Sequence, residues 1–256
     1  MHPVLIQFGP LAIRWYGVMY GIGIIIGGWL LGKEFRRKGI PLSDDERWNF
    51  LTLVFLSGIL GARSYYVVFN WDFYSSHPAE IPAIWHGGLA IHGALIGGML
   101  GGWWYVNRHR LSFLKLADAG APSLILAQAL GRIGNFMNGE IHGYPTSMPW
   151  GIVFPAESPA GQQFGQVPLH PAMLYEMVLN LLIFFFLWSI RKRPAKDGFI
   201  FSLYLILYSI DRSIVSTFRG EDLMIGPFRA PHVVSLIIIL FVGGYLIKKR
   251  LWKPAK

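Results

Sequence analysis

The sequence predicts an all-α integral membrane protein with about seven transmembrane helices, and three observations carry that expectation. Of 256 residues, 53% are hydrophobic and only 14% are charged, whereas a soluble domain of this length carries about a quarter charged residues. The apolar residues are gathered into long runs, with room for about seven spans at roughly 20 residues each. The basic residues cluster on alternate loops between those runs.

The runs predict helices at about 15–31, 48–69, 88–106, 119–137, 171–190, 198–215 and 232–247. Lys33, Arg36, Arg37, Lys38 and Arg47 follow the first run, and 70–85 contains no Lys or Arg. Arg108, Arg110 and Lys115 follow the third, and 133–190 is again free of both. Arg191, Lys192, Arg193 and Lys196 follow the fifth, and Lys248, Lys249, Arg250, Lys253 and Lys256 end the chain. The positive-inside rule then places the amino terminus outside and the carboxyl terminus in the cytoplasm, which requires an odd number of spans. Trp71, Trp85, Trp103 and Trp104 sit at run ends, as interfacial aromatics do. The longest loop, 138–170, falls outside, is rich in Pro and Gly, and belongs to a single polytopic domain spanning 1–256.

Composition also excludes function classes. The net charge of +9 does not imply nucleic acid, because the basic residues lie in short clusters between apolar runs. With no cysteine there is no disulfide, no nucleophilic thiol and no thiolate metal site. His142 and His170 are not accompanied by a ligand cluster, so neither metal nor cofactor is expected. The first apolar run precedes its basic cluster, so no cleavable signal peptide is expected.

Six basic residues lie outside the cytoplasmic clusters: Arg14, Arg63, Arg132, Arg212, Arg219 and Arg229. Three of these fall within helices, where each arginine at the bilayer centre costs roughly 3 kcal/mol. Counting 1.5 Å per residue from the inner helix ends puts Arg63 about 22 Å outward and Arg132 and Arg212 near 20 Å. His92, Glu176 and Tyr16 fall in the same outer third. A cationic pocket built from Arg suits an anionic phosphate, because the guanidinium fork holds two phosphate oxygens. The alternative is that each Arg pairs with Asp or Glu to hold helices together. Gly93, Gly97 and Gly101 follow a small-xxx-small spacing that predicts close helix packing.

The fourth run ends in Gly131-Arg132-Ile133-Gly134-Asn135-Phe136-Met137-Asn138-Gly139-Glu140-Ile141-His142-Gly143. Arg132 and Asn135 share a helix face at i, i+3, and Asn138 continues it. Cation, amide and carboxylate thus appear in order as the chain leaves the membrane, Arg suited to a phosphate and Asn and Glu to hydroxyls. The glycines are not a nucleotide fingerprint, since no strand precedes them.

That segment resembles the signature of the bacterial phosphatidylglycerol–prolipoprotein diacylglyceryl transferase family. The resemblance extends to Gly9-Pro10 with Arg14-Trp15-Tyr16-Gly17, to Gly87–Gly97 around His92, to Trp150–Pro155, and to His170-Pro171-Ala172-Met173-Leu174-Tyr175-Glu176. It implies an enzyme that moves diacylglyceryl from phosphatidylglycerol to the lipobox cysteine of a prolipoprotein signal peptide at the bacterial inner membrane, with glycerol phosphate leaving. By motif position it implies that Tyr16, His92, Arg132, Asn135, Gly143 and Arg212 are needed, and Glu140 matches the signature carboxylate. One departure stands out: family members often carry Glu four residues after the matched Arg212, and here that residue is Ser216. Asp211, Glu221 and Asp222 are the nearby carboxylates.

On this reading His92 is the base for the thiol or its organiser, and Arg132 and Arg212 grip the departing phosphate. Asn135, Asn138 and Glu140 orient the head group, with Arg63, Gly143 and Glu176 completing the substrate site. Tyr16 positions thiol or phosphate. The bland reading of His92 is a buried histidine satisfying a hydrogen bond. The rival functions are a lipid-binding or transport protein without chemistry, and a lipid phosphatase. The first would need polar residues reaching the inner half, where few lie and Gln128 is nearest the middle, and for the second no His–carboxylate pair stands out.

Overall fold

Each long helix lies where an apolar run predicts it, and capping chemistry decides where it starts and stops. The computed structural model describes residues 3–9, 11–220 and 223–254. Its elements are β1 (Val4–Phe8), β2 (Leu11–Arg14), α1 (Trp15–Lys38), α2 (Asp44–Phe69), α3 (Trp71–Ser76), α4 (Ile91–Arg108) and α5 (Phe113–Asn138). They continue with α6 (Pro159–Phe164), α7 (Ala172–Ile190), α8 (Phe199–Ser216), β3 (Met224–Ile225), β4 (Phe228–Arg229) and α9 (Ala230–Lys249). Helix α2 begins four residues before the predicted 48 because Ser43 and Glu46 form a capping box. Ser43 N donates to Glu46 Oε2 at 2.8 Å and Glu46 N donates to Ser43 Oγ at 3.2 Å. Helix α1 runs on to Lys38, with Arg36, Arg37 and Lys38 against its negative C-terminal end. It stops at Gly39, whose φ of 59° suits glycine.

By length and composition α1, α2, α5, α7, α8 and α9 can cross a membrane. The chain is therefore an all-α, multi-pass membrane protein. Among the described residues, six helices meet that measure rather than about seven. The remaining one, α4, is 18 residues long, about 27 Å, but Gly93, Gly97, Gly98, Gly101 and Gly102 dilute its hydropathy. Large side chains face outward along the spans, among them Leu182, Phe185, Leu240 and Phe241, as expected where lipid is the solvent.

Contacts divide the chain into two compact units, Met1–Glu34 with Ala117–Lys256, and Phe35–Leu116. In the second unit α2 and α4 meet along a seam of Ser57, Gly61, Gly93, Gly97 and Gly101. A Cβ on Gly61 would lie 2.9 Å from Gly97 Cα, and one on Gly101 would lie 2.8 Å from Ser57 Cβ. The small-xxx-small spacing is thus a packing feature, as expected.

In the first unit the core joins Leu30 of α1, Ala121 and Ile125 of α5, Ile183, Phe184, Leu187 and Ile190 of α7, and Ile200 and Tyr204 of α8. Helix α8 begins after Gly198, which has no side chain to cap it. The buried Asp118 of α5 caps it instead: its carboxylate accepts from Gly198 N at 2.9 Å and from Phe201 N at 2.8 Å. A second tie joins α7 to α1, Arg191 Nε donating to Glu34 Oε1 at 3.0 Å.

The loop of 138–170 is folded. Phe154, Ala160, Leu169 and Met173 form a small core of their own with Phe136, Ile141 and Phe164 packed on it. Inside it, α6 begins at Ser158, whose Oγ accepts from Gly161 N at 3.1 Å. The sequence reading assigned no strands, but β1 and β2 pair antiparallel and turn at Gly9, φ 56°. A second small hairpin, β3–β4, precedes α9. Strands of two to five residues are too short for an alternating pattern to stand out beside runs of twenty.

Because the buried Asp118 carboxylate accepts from two backbone amides at the start of α8, Asp118→Ala is expected to destabilise the protein by about 2–4 kcal/mol. Thermal unfolding in detergent, followed by circular dichroism, checks this, with Asp118→Asn losing less than the alanine variant.

Candidate active site

The site grows out of the way α5 ends. Gly139 adopts φ 68°, Gly139 N donates to Phe136 O at 3.1 Å and Glu140 N donates to Asn135 O at 3.0 Å. This is the paired bonding of a Schellman cap. It folds Glu140 back over the last turn, where Asn135 Nδ2 donates to Glu140 Oε2 and Asn138 Nδ2 to Glu140 Oε1, both at 3.2 Å. Ile141 follows with φ 59°. A left-handed β-branched residue is strained, and Ile141 holds that conformation beside the carboxylate the turn positions.

One turn earlier on the same face, Arg132 Nη1 donates to Asn135 Oδ1 at 3.0 Å. Arg132 Nη2 pairs with Glu176 of α7, which is wholly buried. Glu176, Arg132, Asn135, Glu140 and Asn138 therefore form one continuous hydrogen-bonded chain across α7, α5 and the turn after α5. Removing one partner of a buried ion pair leaves an uncompensated charge and costs about 3–5 kcal/mol, so the chain stands or falls together.

Tyr16 joins from α1. A Cβ on Gly134 would lie 2.9 Å from Tyr16 Cα, so the glycine of the motif permits α1 to approach α5. Tyr16 Oη and Tyr20 Oη are 2.9 Å apart, and the charges of Glu140 and Arg132 act on the Tyr16 hydroxyl. From α8, Tyr208 feels Glu176, Arg132, Arg212 and Asp211. The first unit thus gathers Tyr16, Arg132, Asn135, Asn138, Glu140, Glu176 and Arg212 around one cluster. Tyr20 and Tyr208 were not singled out from sequence; the i, i+4 spacing of Tyr16 and Tyr20 and the i, i+3 spacing of Tyr208 and Asp211 were the available signals.

Gly143 makes a backbone crossing. Its N donates to His170 O at 2.8 Å, and any Cβ would run into His170 and the carbonyl of Phe218. His170 Nδ1 lies 2.9 Å from Tyr175 Oη, which accepts from Trp150 Nε1 at 2.7 Å. His142 is buried with Nε2 2.7 Å from Gln163 Oε1. Both histidines therefore pin the loop. Ser216 is fully buried, and its carbonyl accepts from Arg229 Nη1. Of the three carboxylates near it in sequence, Asp211 is buried in the cluster, and Glu221 and Asp222 lie outside the described residues.

The second unit holds Arg63 and His92. The Arg63 guanidinium is buried and donates to four backbone carbonyls: Glu80 at 2.5 Å, Ile81 at 2.8 Å, Gly87 at 2.8 Å and Gly88 at 3.0 Å. It lies 5.1 Å from the Tyr74 ring centroid. Its partners are thus carbonyls, not the Asp or Glu of the helix-holding alternative, and they order the loop that leads into α4. His92 stands in the first turn of α4, exposed, its ring 6.0 Å from Tyr65. It is not the buried, hydrogen-bonded histidine of the bland reading.

The prolipoprotein diacylglyceryl transferase family profile matches residues 3–248. A protein of Fusobacterium nucleatum called phosphatidylglycerol–prolipoprotein diacylglyceryl transferase is 42% identical, over 97% of this chain and 98% of its own. One of the same name from Geobacillus kaustophilus is 41% identical, over 99% and 95%. Another from Nostoc is 42% identical, over 91% and 84%. With its helices in the expected order, its polar chain assembled from the signature segment and nearly all of its length matched, this chain belongs to the prolipoprotein diacylglyceryl transferase family.

Proposed function

We propose that the protein transfers the diacylglyceryl group of phosphatidylglycerol to the lipobox cysteine of a prolipoprotein, the first step of lipoprotein maturation. Family membership supports the reaction, and the observation that carries it to this site is the chain from Glu176 through Arg132 and Asn135 to Glu140. The cysteine sulfur attacks the glycerol carbon esterified to phosphate. A C–S bond forms, the C–O bond breaks, glycerol phosphate leaves with the bonding electrons, and the thiol proton is lost.

Arg132 and Arg212 hold the phosphate and stabilise the charge that grows on it. The planar fork of Arg132 suits this, held in place by Glu176 on one side and Asn135 on the other. Asn135, Asn138 and Glu140 read the hydroxyls of the glycerol head group. A thiol of pKa near 8.5 is mostly protonated at neutral pH, so its proton passes to His92 or to a group that His92 organises. Tyr16 orients thiol or phosphate, Gly143 supports the loop over the head group, and Arg63 holds the backbone before His92. The reaction takes place in the bacterial cytoplasmic membrane at its outer leaflet. Counting α4 as a seventh span leaves the amino terminus outside and the carboxyl terminus in the cytoplasm, in keeping with the alternate basic clusters.

Purified protein reconstituted with phosphatidylglycerol and a one-cysteine lipobox peptide is expected to add one diacylglyceryl mass to the peptide, and none to a Cys→Ser peptide. Lipid binding without a mass gain overturns the transferase reading. Arg132→Lys, which keeps the charge but loses the fork, is expected to lower kcat/KM by about 10² or more; native turnover removes the phosphate role. His92→Gln is expected to change the shape of the pH–rate profile, and residual turnover with the native profile removes the base role.

A further inference from the structure

Tyr16 has a partner that the reaction has not yet used. Tyr20 stands one turn further along α1, at i, i+4. The two rings lie 4.7 Å apart between centroids, and the two hydroxyl oxygens are 2.9 Å apart. Among the described residues Tyr16 is the hydrogen-bond partner of the Tyr20 hydroxyl. The Tyr20 ring is half exposed, so loss of its hydroxyl opens no cavity in the core. Tyr16 is the member of the pair that meets the polar chain. Gly134, two residues from Arg132, lets the Tyr16 backbone approach α5, and the charges of Glu140 and Arg132 act on the Tyr16 hydroxyl.

A phenol hydroxyl has one proton to donate and an oxygen that also accepts. One bond between two phenols therefore uses one proton and leaves the other tyrosine with a proton to donate elsewhere. The geometry allows either hydroxyl to be the donor, and a bound anion decides between them. A phosphate diester oxygen only accepts. If Tyr16 donated to Tyr20, it would turn a lone pair toward the anion and leave the Tyr20 proton without an acceptor. With Tyr20 as donor, the Tyr16 oxygen accepts and the Tyr16 proton faces the phosphate, and bonds in series reinforce one another.

We infer that Tyr20 is a positioning residue, whose hydroxyl donates to Tyr16 Oη and holds the Tyr16 proton toward the phosphate of the lipid. The inference rests on the transferase reading above and narrows the role of Tyr16 to the phosphate rather than the thiol. As the C–O bond breaks, charge grows on the phosphate and the bond from Tyr16 strengthens. Tyr20 acts only through Tyr16, and neither tyrosine gives up its proton.

The test is a double-mutant cycle in the reconstituted transfer assay. Tyr20→Phe keeps the ring and removes the hydroxyl. It is expected to lower kcat about three- to tenfold, the worth of one hydrogen bond, with the KM for phosphatidylglycerol within about twofold of wild type. In a Tyr16→Phe background the same change is expected to have no further effect, because the hydroxyl through which Tyr20 acts is gone. Where Tyr16→Phe turns over too slowly to follow, the cycle is read on the Kd for glycerol phosphate, which Tyr20→Phe is expected to raise only when Tyr16 is present. An unaltered kcat in Tyr20→Phe overturns the inference. So does an equal loss with and without the Tyr16 hydroxyl, the result that damage to α1 would give. If the wild-type protein transfers no diacylglyceryl, the functional reading fails and the inference fails with it. Wild-type transfer with an unaltered Tyr20→Phe variant overturns only the inference.

Discussion

A guanidinium in the interior of a membrane protein needs anions or carbonyls around it, and the pairing of Arg132 with Glu176 is the constraint that organises the polar interior here. Glu176 is wholly buried on α7, so its charge has no solvent to fall back on. Arg132 answers it from α5 and uses its other arm on Asn135. With both ends of the fork fixed, Asn135 presents its amide to Glu140, and the carboxylate of the turn is fixed in its place. The charge of Arg132 also acts on Tyr16, and both charges of the pair act on Tyr208 and Asp211.

What permits the pair is backbone chemistry. Gly134 admits α1 against α5, and Gly139 reverses the chain so that Glu140 returns to the helix it has just left. Neither glycine touches a substrate group in this account. Each instead removes a Cβ from a place where one would push the polar residues apart. The glycine seam between α2 and α4 follows the same rule, and there it serves helix packing without any polar cluster. Arg63 shows a different solution for a buried cation. Its donors are occupied by the carbonyls of an irregular loop, so one arginine type serves as scaffold in one unit and as the centre of the polar chain in the other.

The long helices were legible in the sequence because membrane insertion demands about twenty apolar residues in a row, a signal that does not depend on tertiary contacts. Their starts were less legible. Helix α2 begins at Asp44 because a capping box holds it there, in a polar stretch that hydropathy discounts. The glycine-rich α4 appears where it was expected and yet falls short on hydropathy alone. The two hairpins escaped notice because pairs this short depend on one turn and a few bonds. For the site, Arg132, Asn135 and Glu140 could be placed on one surface from their spacing. Glu176 could be placed only at a similar depth, since nothing local says which arginine it faces.

By itself, then, the sequence determined that the chain spans a membrane, where its helices run, which family it resembles, and which residues bring charge into an apolar interior. These properties are written in local composition and period. The tertiary structure decided the partners. It joined Arg132 to Glu176 across 44 residues, turned Asp118 into the cap of a helix 80 residues away, and gave Arg63 carbonyls in place of a carboxylate. It also buried Asp211 with no hydrogen-bond partner for either carboxylate oxygen among the described residues. Pairing across helices depends on which faces meet, and that is settled only when the apolar stripes of α1, α5, α7 and α8 pack into one core.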